Sequence, residues 1–549
     1  MNSGKIKKEK NAVLILAAGY KAYDNSFISL EPFLNIGNTL IIERIKKYCI
    51  SKNKTYVAVN NFSKQLQRLK SFDNCKFINV GKTIGVIDTI KKSICYIQED
   101  FINILPITTV PDTPFIDKKL IYFGDNKISK ENWSAISYVN NKTIEYLFKK
   151  EEIDFKKKYF PFTGRISSEK INIKYALKDI KNDQMHDLLY LAKILIEKYA
   201  HTIKHEKWYD AGHSTTYFET KISSFSSRFF NDVYYNKKKN SIIKISQDNI
   251  KLRKEINFYE NIPSELKVFF PILLNKDQEK KVFLELEYLP FPNLAEIFLF
   301  RKLTANRWEI IVKSLFNIYS ELYLNNKSQK FLCNSSHLYS EKLSKRINIL
   351  NEFLNNIKNK LLKEIINNGI KVNNNNIPSL NSTNIKLQNE LKKIEKQRPL
   401  LFGHGDLCFN NILIEPISGS IKLIDPKADS IGNNKIGYVD PFYDLAKLNH
   451  SFSCFYDSIV NNMFSISFIN DQYELKIFKP FNYEVANFYF QKIFLDKLID
   501  NQVLRILTSN LFLSMIPLHK DDEQKMGALL IIGLSLFYDI DMKNYILEI

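Results

Sequence analysis

Cysteine is sparse, and no two cysteines stand at close spacing. The six thiols (Cys49, Cys75, Cys95, Cys333, Cys408 and Cys454) are scattered over 549 residues. None has the C-x-x-C spacing of a zinc ribbon, and nothing suggests a disulfide scaffold. Free thiols in a reducing cytosol are expected. Long apolar runs are also missing. The opening MNSGKIKKEKNAVLILAAG couples a basic segment to a short apolar one, whereas a signal peptide needs a longer apolar stretch and a cleavage site. The most apolar late stretch, Gly527 to Tyr538, falls short of the ~20 residues that cross a bilayer and reads as a buried core helix. A cytoplasmic protein without a membrane span is expected. Arginine is scarce as well, at ten of the 79 basic residues. The net charge of +20 suggests a polyanion partner, but readers of nucleic acid favour arginine for bidentate contacts. Lysine shares A/T-rich codons with Asn, Ile, Phe and Tyr, in which the chain is also rich. Composition bias therefore explains the charge better than a nucleic-acid partner does.

What is present is core material. Hydrophobic residues make up 45% and aromatics 13%, which excludes wholesale disorder. The length asks for two to four domains. Residues 11–18 form a continuous apolar run of the kind seen in a buried parallel strand. Similar runs recur at 55–61, 76–81 and 101–107, with helix-like stretches at 39–50 and 86–97. Strands alternating with helices predict an α/β sheet. The pattern changes near residue 220. Residues 221–290 hold closely spaced strand candidates and one helix at 248–260, and the chain after 294 reads as mostly helical. The Asn-rich segment 371–384 reads as a surface loop or insertion.

The strongest chemistry lies in LLFGHGDLCFNNILIEPISGSIKLIDP, residues 400–426. Phosphoryl transfer needs positioning and charge neutralisation more than covalent work. Asp406 is a candidate to accept the proton of an attacking hydroxyl. Asn411 and Asp425 offer one neutral and one anionic oxygen, the hard ligands that Mg²⁺ prefers. The spacing H-x-D-x-x-x-x-N, a hairpin and then I-D-P resembles the catalytic and metal-binding loops of the aminoglycoside phosphotransferase and choline kinase superfamily. DPFYDLAKL (440–448) resembles the downstream D-P-x-x-D-L-A segment of that family.

The resemblance implies that Asp444 braces the catalytic loop, with His404 supporting it. It implies ATP and Mg²⁺ as cofactors and a small-molecule hydroxyl as acceptor. It also implies a Lys–Glu pair that orients the α- and β-phosphates, for which Lys244 in SIIKIS and Glu255 in the following helix are the candidates. Residues 222–235 would cover the phosphates, with Arg228 as a phosphate contact, although this hairpin is Ser-rich rather than Gly-rich. The backbone from Glu287 to Leu289 would face the adenine. Asp440 and Tyr443 favour a cationic amino-alcohol acceptor through charge and cation–π contact.

The N-terminal part, residues 12–45, resembles the opening of nucleoside-triphosphate:sugar-phosphate nucleotidyltransferases. The shared features are a strand, L-A-A-G ending at Gly19, and a helix in which I-I-E-R (41–44) stands for their L-I-E-R. VGKTIGVIDTI (80–90) resembles their base- and sugar-binding segment, which points to Gly85 and Asp88. KWYDAGHSTTY (207–217) resembles their closing W-x-D-x-G element, which makes Asp210 a candidate Mg²⁺ ligand. The fold is expected over residues 11–220, with CTP or UTP as the implied nucleotide. Parts of the active pattern are absent. The loop after Gly19 lacks the Gly and Arg that cradle a triphosphate, Phe33 stands where a lysine belongs, and Thr108 stands where the first metal Asp belongs. A hydroxyl does not replace a carboxylate's charge on Mg²⁺, so Asp112, four residues on, is the alternative ligand.

The expected architecture is thus a Rossmann-like α/β nucleotidyltransferase sheet (11–220) followed by a two-lobed, protein-kinase-like α+β domain (221–549, lobes 221–290 and 291–549). The expected activity is ATP-dependent phosphorylation of a small molecule, a sugar or a choline- or ethanolamine-like alcohol. The resemblance sets this in bacterial capsule or surface-polysaccharide precursor synthesis. The rival readings are an active bifunctional kinase and nucleotidyltransferase, and a non-enzymatic scaffold.

Overall fold

The computed structural model describes residues 11–547 apart from 19, 25–26, 31–32, 37–38, 50–53, 61–66, 126–133, 140–142, 149–156, 213–219, 222–230, 247, 280, 326–330, 355–358, 416–417, 428–435 and 497–500. The chain divides into two compact units, one up to Lys221 and one from Ile222 to Glu548.

In the first unit the apolar run near the N-terminus forms β1 (Asn11–Ala17), which is buried along almost its whole length. Such burial on both faces is what a continuous Val/Ile/Leu run provides, since an alternating strand would put polar residues on one face. Around it lie β2 (Lys54–Val59), β3 (Cys75–Asn79) and β4 (Phe101–Pro106). The order is β3-β2-β1-β4, all parallel. The sheet then continues antiparallel through the long β5 (Tyr159–Glu169). The helices Val86–Ser93, Lys170–Ala176 and Leu189–Tyr199 pack their apolar faces on this sheet, and Ile87, Ile90, Ile173, Leu191 and Leu195 join Leu14 and Ile104 in one core. This is a mixed α/β protein whose first sheet is parallel-dominated and Rossmann-like.

The second unit begins with a four-stranded antiparallel sheet. Its strands β6 (Asn231–Asn236), β7 (Ser241–Ser246), β8 (Leu273–Asp277) and β9 (Phe283–Glu287) run in the order β6-β7-β9-β8. Between β7 and β8 lies the helix α1 (Asn249–Glu260), capped by Asp248, whose carboxylate accepts from Lys251 N at 3.0 Å. A larger, mainly helical part follows. It includes α2 (Ala305–Tyr323), α3 (Ser340–Leu354), α4 (Pro441–Phe452) and α5 (Asn501–Met515). The stretch 527–537 lies within the buried helix Glu523–Phe537.

One expectation for this part is corrected. The segment 371–384 is not a loop. It holds the hairpin Ile370–Val372 and Asn375–Ile377, then the start of the helix Leu380–Ile394. The region after 294 also contains a five-stranded sheet, in which Phe464–Ile469 and Gln472–Phe478 join that hairpin and a final short strand. Both hairpins turn on two residues with positive φ, Asn373–Asn374 (46° and 67°) and Asn470–Asp471 (50° and 57°). Asn and Asp tolerate that conformation best after Gly, and two such residues in succession give a tight turn matched to strand twist.

Candidate functional site

In the second unit, the strand β10 (Arg398–Phe402) delivers the chain into a loop shaped by two glycines. A side chain at Gly403 would stand 2.1 Å from the hydroxyl of Tyr323, and Gly405 has φ +77°. The loop is held from α4, a helix that starts well because Asp440 caps it and Pro441 occupies its first turn. Asp444, fully buried on that helix, accepts from Gly405 N at 2.9 Å and from Leu407 N at 3.0 Å. Tyr323 on α2 donates to the same carboxylate and accepts from His404 N. The His404 ring does not meet Asp444 by hydrogen bond. Its Nδ1 accepts from Asp406 N at 3.2 Å, so its Nε2 carries the proton and donates to Ile424 O at 2.9 Å.

Asn411 and Asp425 are brought together by the short hairpin Ile412–Ile414 and Ile421–Leu423. Ile424 N donates to Asn411 O at 2.9 Å, and Lys427 N donates back to His404 O at 2.8 Å. The Asn411 amide nitrogen donates to Asp406 O at 2.9 Å, which leaves the amide oxygen for another partner. Asp425 itself has φ +57°, in the left-handed region. Asp406, Asn411 and Asp425 thus share one hydrogen-bonded frame.

Lys244 on β7 reaches both Glu255 of α1, at 2.7 Å, and Asp425, at 2.6 Å. Burial would lower the Lys244 ammonium, but the two carboxylates outweigh it and push it up to about 12. Of the backbone between Glu287 and Leu289, two N–H groups are taken, Glu287 by Ile272 O and Tyr288 by Asn240 O. That of Leu289 has no backbone partner among the described residues. Arg228 lies outside the described residues.

Lys447 was not legible as a site residue. Its Nζ is 2.9 Å from Asp406 Oδ1. Burial pushes the Asp406 carboxyl up, but Lys447 overrides it and holds the group well below the usual carboxylate range. One signal was available. Lys447 follows Asp444 by three positions and so shares its helix face. Asp440 and Tyr443 depart from the expected role in binding a cation. Asp440 is fully buried and accepts from Arg398 Nε at 2.6 Å and from Tyr339 at 2.8 Å, so its charge is matched internally. The Tyr443 ring is faced by three ammonium groups, those of Lys342, Lys427 and Lys447, at 5.0, 5.5 and 5.9 Å from its centre.

The first unit has its own cavity of about 450 Å³, bordered by Thr83, Gly85, Thr108, Asp187, Trp208 and Asp210 among others. Gly85 opens the helix 86–93. A side chain there would meet the backbone oxygen of Met185 at 2.3 Å, so the close approach requires glycine. Thr108 and Asp210 are neighbours, because the strands Thr109–Pro111 and Trp208–Asp210 pair and Ala211 N donates to Thr108 O at 2.8 Å. Asp112 is exposed and does not border the cavity. The next turn is fixed by the fully buried Arg165, whose guanidinium donates to Thr113 O and Pro114 O and pairs with Glu206 at 2.8 Å. Asp88, in the first turn of the helix 86–93, accepts from Ile84 N at 3.1 Å and pairs with Lys92. Gly19 lies outside the described residues. Among the described residues no group of three or more His, Cys, Asp or Glu side chains forms a metal cluster.

No known protein family and no curated protein matches the chain. Solved structures match its two parts separately. HddC from Yersinia pseudotuberculosis is 13% identical, with 39% of this chain and 98% of that one covered and a TM-score of 0.29. A UDP-glucose pyrophosphorylase complexed with UDP-glucose is 12% identical, with 39% and 98% covered and a TM-score of 0.30. An aminoglycoside-3'-phosphotransferase of type VIII is 14% identical, with 49% and 83% covered and a TM-score of 0.30. At these levels the likenesses transfer no residue's role.

Proposed function

We propose that the second unit is an ATP-dependent phosphotransferase acting on a hydroxyl of a small molecule. The observation that carries this reading is Lys244. One ammonium from a sheet strand meets a helix carboxylate, Glu255, and a loop carboxylate 181 positions further on, Asp425. That loop is tied through Asn411 and His404 to Asp406.

In this reading Lys244, oriented by Glu255, steadies the α- and β-phosphates. The Leu289 N–H is the backbone donor toward the adenine edge. Asn411 and Asp425 would hold Mg²⁺, which would supply positive charge against the nucleotide's phosphates; one amide oxygen and one carboxylate suit its preference for hard oxygen ligands. Asp406 accepts a hydrogen bond from the attacking hydroxyl and orients it. Its low proton affinity keeps it ionised throughout the physiological range, which suits a loose transition state where proton transfer comes late. Asp444 keeps the loop in register without touching substrate.

The first unit contributes a nucleotide- or sugar-binding pocket. Beside Asp210 the position that would hold a second metal carboxylate carries Thr108, whose hydroxyl brings no charge to a metal for nucleotidyl transfer. A kinase joined to such a pocket suits the preparation of surface-polysaccharide precursors.

The test is Asp406→Asn in the full chain, assayed by ADP release over a panel of sugars and amino-alcohols with ATP and Mg²⁺. Turnover should fall by about 10²–10⁴-fold, with the circular dichroism spectrum unchanged. Equal rates in the two proteins would refute the reading.

A further inference from the structure

The three lysines around Tyr443 come from separate segments. Lys342 is on α3, Lys427 follows the Asp425 turn, and Lys447 is on α4 beside Asp406. Lys447 has Asp406 as its counter-charge. Lys342 has none. It donates to the Tyr443 hydroxyl at 2.7 Å, and no carboxylate pairs with it among the described residues. The charged groups facing it are Lys427 and Lys447, so burial and like charge together bring its ammonium below the ordinary value. The phenol feels the same field. Burial would raise it, yet Lys342, Lys427 and Lys447 outweigh burial and bring Tyr443 down to about 8. Collecting ammonium groups in a poorly solvated place without a carboxylate for one of them costs stability, and an anion that enters the cluster recovers it.

The location decides what that anion is. A hydroxyl awaiting phosphorylation must lie within about 3 Å of the Asp406 carboxylate. Lys447 is already at that carboxylate, and Tyr443 lies one helical turn before Lys447. The groups that hold nucleotide in the proposed mechanism come from β7, α1, the backbone at Leu289 and the segment 411–425. Lys342 and Tyr443 stand on α3 and α4, outside that set. The cluster therefore borders the acceptor.

Building on the kinase reading, we propose that the acceptor is an anion, a small hydroxylated molecule carrying a phosphate or carboxylate group that Lys342 and its neighbours bind. The cationic amino-alcohols first suggested by Asp440 and Tyr443 are disfavoured by the same charges.

The test uses the full-length protein and matched acceptors: glucose, glucose 6-phosphate and glucuronate; glycerol, glycerol 3-phosphate and glycerate; choline as the cation. Binding of AMP-PNP with Mg²⁺ is measured first by calorimetry, and its absence would remove the kinase reading itself. Each acceptor is then titrated into the AMP-PNP-loaded protein, and ADP release from ATP is followed in parallel. An anionic member should bind at least about tenfold tighter than its neutral parent. The phosphate and carboxylate arms separate the two sources of charge. Lys342→Gln should raise KM for that acceptor about tenfold while KM for ATP stays constant, and Lys342→Arg should restore most of the loss. If choline or the neutral parents bind as well as the anions, if no anion binds, or if Lys342→Gln shifts KM for ATP instead, the inference is wrong. Because the acceptor panel runs on the unmodified protein, a Lys342 variant that failed to fold would not prevent the decision.

Discussion

At the scale of single residues, the site is set by charges placed in pairs that pull in opposite directions. Asp406 and Asp457 show the contrast. Both belong to the same unit, and burial favours the neutral acid in each. Asp406 has Lys447 at 2.9 Å and stays ionised. Asp457 is fully buried, with Ser451 and Lys447 offering only partial relief, and its carboxyl is pushed up to about 7. The consequence for stability has a definite sign. Below about pH 4 the group is protonated in both folded and unfolded chains and costs nothing. Between there and about 7 the unfolded chain releases the proton while the folded one keeps it, so stability falls as pH rises and levels off above 7. Asp457→Asn removes this dependence. Chemical denaturation should show the variant gaining about 2 kcal/mol on the parent between pH 5 and pH 8. Parallel stability–pH curves for the two proteins would contradict the assignment.

At the scale of elements, the Asn-rich hairpin is more than a surface ornament. Asn373 turns it with positive φ, and its side chain also ties the hairpin to the strand Gln472–Phe478 and to the 3-10 turn Met542–Tyr545. Its amide donates to Leu475 O and Asn544 O, and its oxygen accepts from Leu475 N at 2.9 Å. Asn373→Ala loses these bonds and places a Cβ residue with little tolerance for that backbone. Urea unfolding should register a loss of about 2–3 kcal/mol, whereas Asn376→Ala, at an exposed strand position, should lie within about 0.5 kcal/mol of the parent.

The same element shows where reading the sequence stops. Strands such as 11–17 and 101–106 are legible because burial on both faces demands an unbroken apolar run. A stretch of asparagines is compositionally a loop, and only the pairing of 370–377 with a partner about 100 residues away makes it a sheet edge. The site divides the same way. Asp406, Asn411, Asp425 and Asp444 sit within about 40 residues at fixed spacings, so a motif carries them. The Lys342, Lys427 and Lys447 cluster comes from three segments, in a chain where lysine is too common for any one of them to stand out.

At the scale of the whole molecule, the chain divides into two compact units that each bury apolar residues, and the cavity of about 450 Å³ belongs to the first. Scanning calorimetry of the full chain should therefore resolve two transitions. Saturating AMP-PNP with Mg²⁺ should raise one of them by several degrees, since a ligand at 100 times its Kd adds about 2.7 kcal/mol to the state that binds it. UTP or CTP should raise the other, and with glucose 1-phosphate present neither should release pyrophosphate above background. A single transition that shifts with either nucleotide would contradict this division, and pyrophosphate release would restore metal-dependent transfer to the first unit.

Asp425 links these scales, because one side chain meets a conformational demand and a chemical one together. Its left-handed backbone admits Gly, Asn and Asp with little strain, and its place beside Lys244 calls for an acid. Asn keeps the turn and loses the charge, Glu keeps the charge and strains the turn, and Gly keeps only the turn. No amino acid other than Asp meets both demands. In evolutionary terms the position has no neutral neighbours: the chain cannot drift away from this residue in small steps, and it cannot easily return once the residue is lost.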